Sequence, residues 1–137
     1  MRKNQIGSGL GIFLIVTGSG HFLFPEPLDE IVPPVLPFDP RFWTYASGVA
    51  ELLVGLLLLM PITKYLFGIN LKLAGARSAF ALFLIVYPAN IYMAIDWLDR
   101  PFSEAWVAWA RLPLQFGLFY WSLSIAKKIR AQIGKNA

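Results

Sequence analysis

The stretch that decides the fold is FWTYASGVAELLVGLLLLMPI, residues 42–62. A helix needs about 20 mainly apolar residues to cross the hydrocarbon core of a bilayer, and this stretch is long enough. One carboxylic acid, Glu51, lies near its middle. A charge at that depth costs about 2.5 to 3.5 kcal/mol even on a lenient insertion scale, so we expect Glu51 to have a partner or a function.

Three further segments, 6–24, 76–95 and 106–126, have the same length and apolar character. The chain is 57% hydrophobic and only 15% charged, whereas soluble proteins average about 25% charged residues. We therefore predict an all-α membrane protein, a bundle of four transmembrane helices that forms a single domain over residues 1–137. Arg2 and Lys3 before an apolar run also resemble a signal peptide, but no typical cleavage site follows, so the first segment is expected to remain as a helix.

The charged residues outside these segments divide by sign. If the segments alternate across the bilayer, one face receives most of the basic residues and the other most of the acidic ones. By the positive-inside rule the basic face is cytoplasmic, so both termini and the middle loop are predicted to lie there. The basic set is Arg2, Lys3, Lys64, Lys72, Arg77, Lys127, Lys128, Arg130 and Lys135. The acidic set is Glu26, Asp29, Glu30, Asp39, Asp96, Asp99 and Glu104, with Arg41 and Arg100 among them.

Composition excludes several chemistries. The chain has no cysteine and a single histidine, His21. Without sulfur ligands, we expect no iron–sulfur cluster, no thiolate metal site and no covalently attached haem. The net charge of +4 does not arise from a basic stripe with interleaved aromatic residues, so no nucleic-acid partner is predicted.

The segment 25–40 contains six prolines around an apolar centre. Proline at this density disfavours both helix and strand and favours a stiff, polyproline-like path. We predict a connector without helix or strand on the outer face. Two roles remain open for it, a rigid link lying in the headgroups or a lid over a site.

Helical spacing and depth bring five polar residues into one layer. Side chains three and four positions apart share a helix face, and glycines on that face mark contact with another helix. Counted at ~1.5 Å per residue, all five lie in the outer half of the bilayer. We expect an ion pair between Glu51 and Arg111 with the other three around it, and a bend at Pro88 in the third segment beside them. The five are His21, Glu51, Asn90, Arg111 and Gln115.

Each member of this layer also has a purely structural interpretation. His21 can be an interfacial histidine, and Asn90 and Gln115 can be bonds between helices. The Glu51–Arg111 pair can serve only to lock two helices together. Both interpretations stay open at this point.

These same residues carry a family resemblance over nearly all of the chain. The sequence resembles the DoxX-like family of small four-helix bacterial membrane proteins. That resemblance implies two directions: quinone or redox partnership, as in a subunit of an archaeal thiosulfate:quinone oxidoreductase, or client binding, as in assembly chaperones for ligand-gated channels. The matching motifs are Gly20-His21-Phe22, Pro25-Glu26, Ile31-Val32-Pro33-Pro34-x-Leu36-Pro37, Tyr45-x-Ser47-Gly48-x-x-Glu51-x-x-x-Gly55, Leu57-Leu58-Leu59-x-Pro61-x-Thr63, Tyr87-Pro88-Ala89-Asn90-Ile91-x-Met93-Ala94 and Trp109-x-Arg111-Leu112-Pro113-Leu114-Gln115.

Two functions follow as expectations. The first is a multi-pass protein of the bacterial cytoplasmic membrane that binds a quinone or another small hydrophobic molecule, working with an oxidoreductase subunit or as a homo-oligomer. The second is a noncatalytic accessory subunit or assembly chaperone whose polar layer only specifies helix packing. Any quinone would be supplied from outside, since no electron carrier is evident in the chain. The predicted ligand-binding residues are His21, Tyr45, Glu51, Tyr87, Asn90, Arg111 and Gln115.

Overall fold

The computed structural model describes residues 2–136, which are mostly helical. A short 3₁₀ helix, Lys3–Gln5, opens the chain, and a two-stranded hairpin lies at its middle. The helices are α1 (Ser8–Leu23), α2 (Pro25–Asp29), α3 (Pro40–Leu59), α4 (Leu71–Asp96) and α5 (Phe102–Asn136), and the antiparallel strands are β1 (Tyr65–Leu66) and β2 (Ile69–Asn70).

Three helices in this part of the chain are long and apolar enough to cross a membrane. They are the helical stretch Lys3–Leu23, which contains α1, together with α3 and α4. Helix α5 is longer, at 35 residues, but its sequence includes Arg111 and the basic run that begins at Lys127. Length and composition alone therefore support three of the four predicted spans.

Local capping explains where α3 begins and ends. The Asp39 carboxylate accepts a hydrogen bond from the Arg41 backbone N–H at 2.8 Å, and Pro40 occupies the first helical turn, where no N–H partner is needed. The helix ends at Leu59, two residues before Pro61, because proline disfavours helical conformation in the residue that precedes it. The predicted segment 42–62 is thus displaced toward the N-terminus by its caps.

Glycines hold α1 and α3 at close range. A Cβ added at Gly11 would come within 3.0 Å of the Gly55 carbonyl oxygen, and one added at Gly18 would come equally near the Gly48 oxygen. Backbone atoms cannot yield as a flexible side chain can, so these positions exclude larger residues. The small-residue contact faces predicted for these two helices are observed.

The remaining helices follow in order, with α4 packed between α3 and α5. Gly75 of α4 lies against Leu57 and Leu58 of α3. Helices α1 and α5 meet where Phe13 approaches Trp121, with ring centroids 6.2 Å apart. Farther along, toward His21 and Arg111, a cavity lies between them.

Two connections differ from the prediction. The segment 25–40 was expected to contain no helix, yet α2 occupies its first five residues, since Pro25 stands at the start of α2, where its fixed φ suits a helix. The middle loop contains the hairpin β1–β2, turned at Phe67 and Gly68 with φ of 51° and 78°. Two consecutive positive φ values are typical of the tight turns that suit hairpins.

A further difference concerns Lys72, which was assigned to the basic loop between the second and third predicted spans. Helix α4 begins at Leu71 and not at residue 76, because the Asn70 side chain caps it by accepting from the Leu73 N–H at 2.9 Å. Lys72 is then fully buried. Its ammonium donates to the Ile6 carbonyl at 2.7 Å and to the Leu58 carbonyl.

Two asparagines, the exposed Asn4 and the buried Asn70, extend this group around the Ile62 backbone. The Asn4 side chain accepts from the Ile62 N–H at 3.0 Å, and the Asn70 side chain donates to the Ile62 carbonyl at 2.6 Å. The group ties the N-terminal segment to the end of α3 and the start of α4. We call it the Lys72 cluster: the side chains of Asn4, Asn70 and Lys72 with the backbone groups of Ile6, Leu58 and Ile62.

Candidate functional site

A cavity of about 480 Å³ lies between α1 and α5, and residues from all five helices line it. Five of the seven predicted site residues line it, one from α1, one from α3, one from α4 and two from α5. The volume falls within the range of about 300 to 1,000 Å³ that is usual for small-molecule sites. We call these five lining residues the Glu51 site: His21, Glu51, Asn90, Arg111 and Gln115.

His21 lies between Thr44 and Glu51. The His21 Nδ1 lies 2.9 Å from the Thr44 carbonyl oxygen, which can only accept, so Nδ1 carries a hydrogen and donates it. The other ring nitrogen, Nε2, lies 3.4 Å from the Glu51 carboxylate. A neutral imidazole with Nδ1 protonated has an acceptor at Nε2. Only the imidazolium form would place a hydrogen on Nε2, the ring nitrogen that faces the Glu51 carboxylate.

Helix α2 supports His21 from outside. The Thr44 hydroxyl donates to the Asp29 carboxylate at 2.6 Å, and the other Asp29 oxygen accepts from the Arg41 Nε at 2.7 Å. Asp29 thereby positions the residue whose carbonyl oxygen orients His21. The sequence prediction missed Asp29, because only a folded α2 brings it to Thr44.

A second network joins α4 to α5. The Arg111 Nε donates to the Asn90 side-chain oxygen at 3.0 Å, and the Asn90 amide nitrogen donates to the Gln115 oxygen at 3.0 Å. The Gln115 nitrogen donates in turn to the Phe83 carbonyl at 2.6 Å. Both amides use a donor and an acceptor, so this chain of bonds fixes their orientation and holds the arginine.

The expected ion pair between Glu51 and Arg111 is not formed. Within residues 2–136 the only ion-pair contact of Glu51 is His21, while Arg111 is held toward α4 by Asn90. One Glu51 oxygen, Oε2, is buried and has no hydrogen-bond partner among these residues. Its contact with His21 is close in distance but does not meet hydrogen-bond geometry. The two charged residues nevertheless line the same cavity.

Tyr45 and Tyr87, which were predicted to form walls, are not among the lining residues. The Tyr45 ring stacks on Phe22 with centroids 5.2 Å apart, and the Tyr87 ring packs edge-on against Phe116 at 5.6 Å. The walls are instead mainly apolar, and periodicity alone did not separate these residues from lipid-facing ones. They include Phe13, Thr17, Phe24, Phe83, Val86, Leu114 and Leu118.

In chemical terms the cavity offers the Glu51 carboxylate oxygen as acceptor, the Arg111 guanidinium as donor and the imidazole ring of His21. No group of three or more histidine, aspartate or glutamate side chains suited to a metal ion occurs in the part of the chain described. These features define an α-helical protein with three helices able to cross a membrane and a polar site in a cavity with mainly apolar walls.

Comparison with known proteins gives a family. The sequence profile of a domain of unknown function (DUF8561) matches residues 10–126, so the chain belongs to that family. The match includes every residue of the Glu51 site. No curated protein and no solved structure matches the chain.

Proposed function

We propose that this protein is a membrane-embedded binding protein for a small lipophilic molecule with a polar head, such as a quinone, and that it serves a membrane oxidoreductase system. The observation that carries the proposal is the buried Glu51 oxygen that accepts no hydrogen bond from residues 2–136, beside a cavity with mainly apolar walls. Most buried polar atoms in folded proteins have a partner, so an exception at a cavity suggests that a ligand supplies it.

The proposed membrane arrangement adds α5 as the fourth span of a DoxX-like bundle. Helix α5 packs along α4, and Arg111, its one charge within residues 106–126, is hydrogen-bonded inside the protein. The distribution of basic and acidic residues favours both termini on the cytoplasmic side of a bacterial cytoplasmic membrane. The Glu51 site then opens in the outer half of the bilayer.

The proposed route of entry is lateral, from the bilayer. Three lining residues near the opening between α1 and α5 are apolar and exposed: Phe13, Phe24 and Leu114 are 36%, 70% and 59% accessible. Such a rim suits the tail of a lipophilic molecule. The head would receive a hydrogen bond from Arg111 and donate one to Glu51, which fits the hydroxyl groups of a quinol, the reduced form of a quinone, because the carbonyl oxygens of the oxidised form only accept.

The test is mass spectrometry of lipophilic compounds that co-purify in mild detergent. Wild type and Glu51→Gln are compared, with Glu26→Gln as the matched control, since Glu26 is exposed and outside the cavity. We expect one compound near one equivalent in wild type and control, reduced by about tenfold in Glu51→Gln, which corresponds to about 1.4 kcal/mol of binding free energy. An empty wild-type protein, or equal occupancy in all three, would contradict the proposal.

The alternative is a noncatalytic accessory subunit or assembly chaperone. The bonds from Arg111 through Asn90 and Gln115 to Phe83 favour it, because they use polar groups to join two helices. Under this alternative, Glu51→Gln changes no co-purifying compound. The same substitution would lower the thermal stability instead, so one experiment separates the two functions.

A further inference from the structure

A second cleft, of about 630 Å³, lies between α4 and α5 near the start of α4 and the end of α5. Arg77 and Asn90 are 13 residues apart on α4, so the cleft is roughly 20 Å along the helix axis from the Glu51 site. It belongs to neither of the polar clusters already described. Its lining residues are Arg77, Leu123, Ala126, Lys127, Arg130 and Ala131.

The charge of this cleft is uniformly positive. Three of its six lining residues are cations, and none is acidic. Among residues 2–136, no carboxylate lies within ion-pair distance of Arg77, Lys127 or Arg130. Three neighbouring cations without an anion favour an anionic ligand, and guanidinium groups bind phosphate oxygens in bidentate fashion.

The α5 side of the cleft changes from apolar to basic along the helix. Its residues are spaced three and four apart, which places them on one face. At ~1.5 Å per residue, Leu123 lies roughly 6 Å from Lys127 and roughly 10 Å from Arg130 along the axis. This order matches an amphiphile whose acyl chain lies beside Leu123 and whose phosphate lies between the cations.

We propose that the cleft binds the headgroup phosphate of an anionic phospholipid. The inference rests on the proposed insertion of α4 and α5 in a membrane but not on the ligand of the Glu51 site. Basic pockets between transmembrane helices on the cytoplasmic side are suited to such headgroups, and the long basic side chains extend toward the membrane surface while their stems remain in apolar surroundings. The bound lipid bridges α4 and α5 at the end remote from Arg111.

The experiment is native mass spectrometry of the full chain in detergent, titrated with phosphatidylglycerol or phosphatidylcholine. The test variant combines Arg77→Gln, Lys127→Gln and Arg130→Gln. The control combines Lys64→Gln, Lys128→Gln and Lys135→Gln, which removes the same charge from exposed positions outside the cleft. We expect wild type and control to prefer phosphatidylglycerol, and the test variant to bind it more weakly by roughly fivefold for each removed cation.

Three outcomes would overturn the inference. Equal loss in control and test variant would indicate diffuse attraction to basic residues in general. Equal binding of the two lipids would remove the role of charge. Binding of inorganic phosphate alone, at an affinity equal to that for phosphatidylglycerol, would assign the site to a soluble anion. Glu51→Gln should still bind phosphatidylglycerol. Loss of the ligand at the Glu51 site and loss of the lipid at the cleft can therefore be distinguished.

Discussion

The Lys72 cluster and the Glu51 site both bury a charged side chain among helices, but they satisfy it in opposite ways. The Lys72 ammonium is fully buried and donates to two backbone carbonyl oxygens. The Glu51 carboxylate has one buried oxygen without a hydrogen bond from the described residues, and it borders a cavity. Only the second leaves binding capacity for another molecule.

The position of each charge in its helix explains the difference. Leu58 lies in the last turn of α3, where carbonyl oxygens have no donor within the helix and the negative end of the helix dipole favours a cation. Lys72 therefore satisfies a need that the fold itself creates. Glu51 lies in the middle of the same helix, where the backbone is already paired. No backbone group of α3 requires the Glu51 carboxylate as a partner.

The largest effect should come from Lys72→Met. The substitution keeps a long side chain but leaves the buried Leu58 carbonyl oxygen and the half-buried Ile6 carbonyl oxygen without their donor, at a cost of about 1 to 3 kcal/mol for a buried group. We expect the free energy of unfolding to fall by about 3 kcal/mol. Chemical denaturation in detergent measures it, and any compound bound at the Glu51 site should remain.

Lys128→Met is the matched control for this substitution. Lys128 is exposed, so its replacement should change the free energy of unfolding by no more than about 0.5 kcal/mol. If both variants lose the same stability, the loss is due to surface charge, and the Lys72 cluster is not the structural element that its contacts indicate.

The next largest effect should come from Gly48→Ala and Gly55→Ala, which lie at opposite ends of the α1–α3 contact. A Cβ at Gly48 would lie 2.8 Å from the His21 Cβ, and one at Gly55 would lie 2.9 Å from the Gly11 carbonyl oxygen. Each change to alanine should therefore cost about 2 kcal/mol of stability by overpacking. Only Gly48→Ala displaces His21, so only Gly48→Ala should also weaken ligand retention.

Gly117→Ala supplies the control for these glycines. No atom lies within 4 Å of a Cβ added there, and the position is inside α5. Alanine should raise the free energy of unfolding by about 0.5 kcal/mol, because glycine is unfavourable in a helix. Ligand loss in both Gly48→Ala and Gly55→Ala would show that general loosening of α1, and not the position of His21, governs binding.

A smaller effect, of opposite sign to that of Lys72→Met, is expected for Glu51→Met. The substitution removes a buried oxygen that accepts no hydrogen bond from the described residues, and it adds apolar volume beside the cavity. We expect the free energy of unfolding to rise by about 1 kcal/mol, whereas the co-purifying compound should be lost. A loss of stability near that of Lys72→Met would make Glu51 a structural group, and the contrast between the two clusters would disappear.

Sequence periodicity predicted which residues meet but not which pairs form. Helical spacing and depth placed His21, Glu51 and Arg111 at one level, and all three line the cavity. The predicted partner of Glu51, Arg111, was wrong. Spacing gives the face and depth of a residue but not the rotation of a neighbouring helix. Arg111 of α5 is hydrogen-bonded to Asn90 of α4, and His21 of α1 is the residue that contacts Glu51.

The same limit applies to Lys72. The positive-inside rule assigns a lysine near a helix end to one side of the membrane. It does not predict that the N-terminal segment folds over that end and buries the lysine. The burial of Lys72 depends on the Ile6 carbonyl oxygen, which lies 66 positions away in the sequence. The start of α4 after the Asn70 cap could have been predicted, since asparagine before an apolar run is a helix-start signal.

The smallest effect should come from Tyr87→Phe, which tests the border of the Glu51 site. The Tyr87 ring packs against Phe116 and Phe119, outside the lining of the cavity, and phenylalanine preserves both contacts. We expect stability and ligand retention to stay within about 0.5 kcal/mol of wild type. Ligand loss equal to that of Glu51→Gln would place the Tyr87 hydroxyl in the binding site, as the sequence predicts. The site would then extend along α4 beyond the present lining of the cavity.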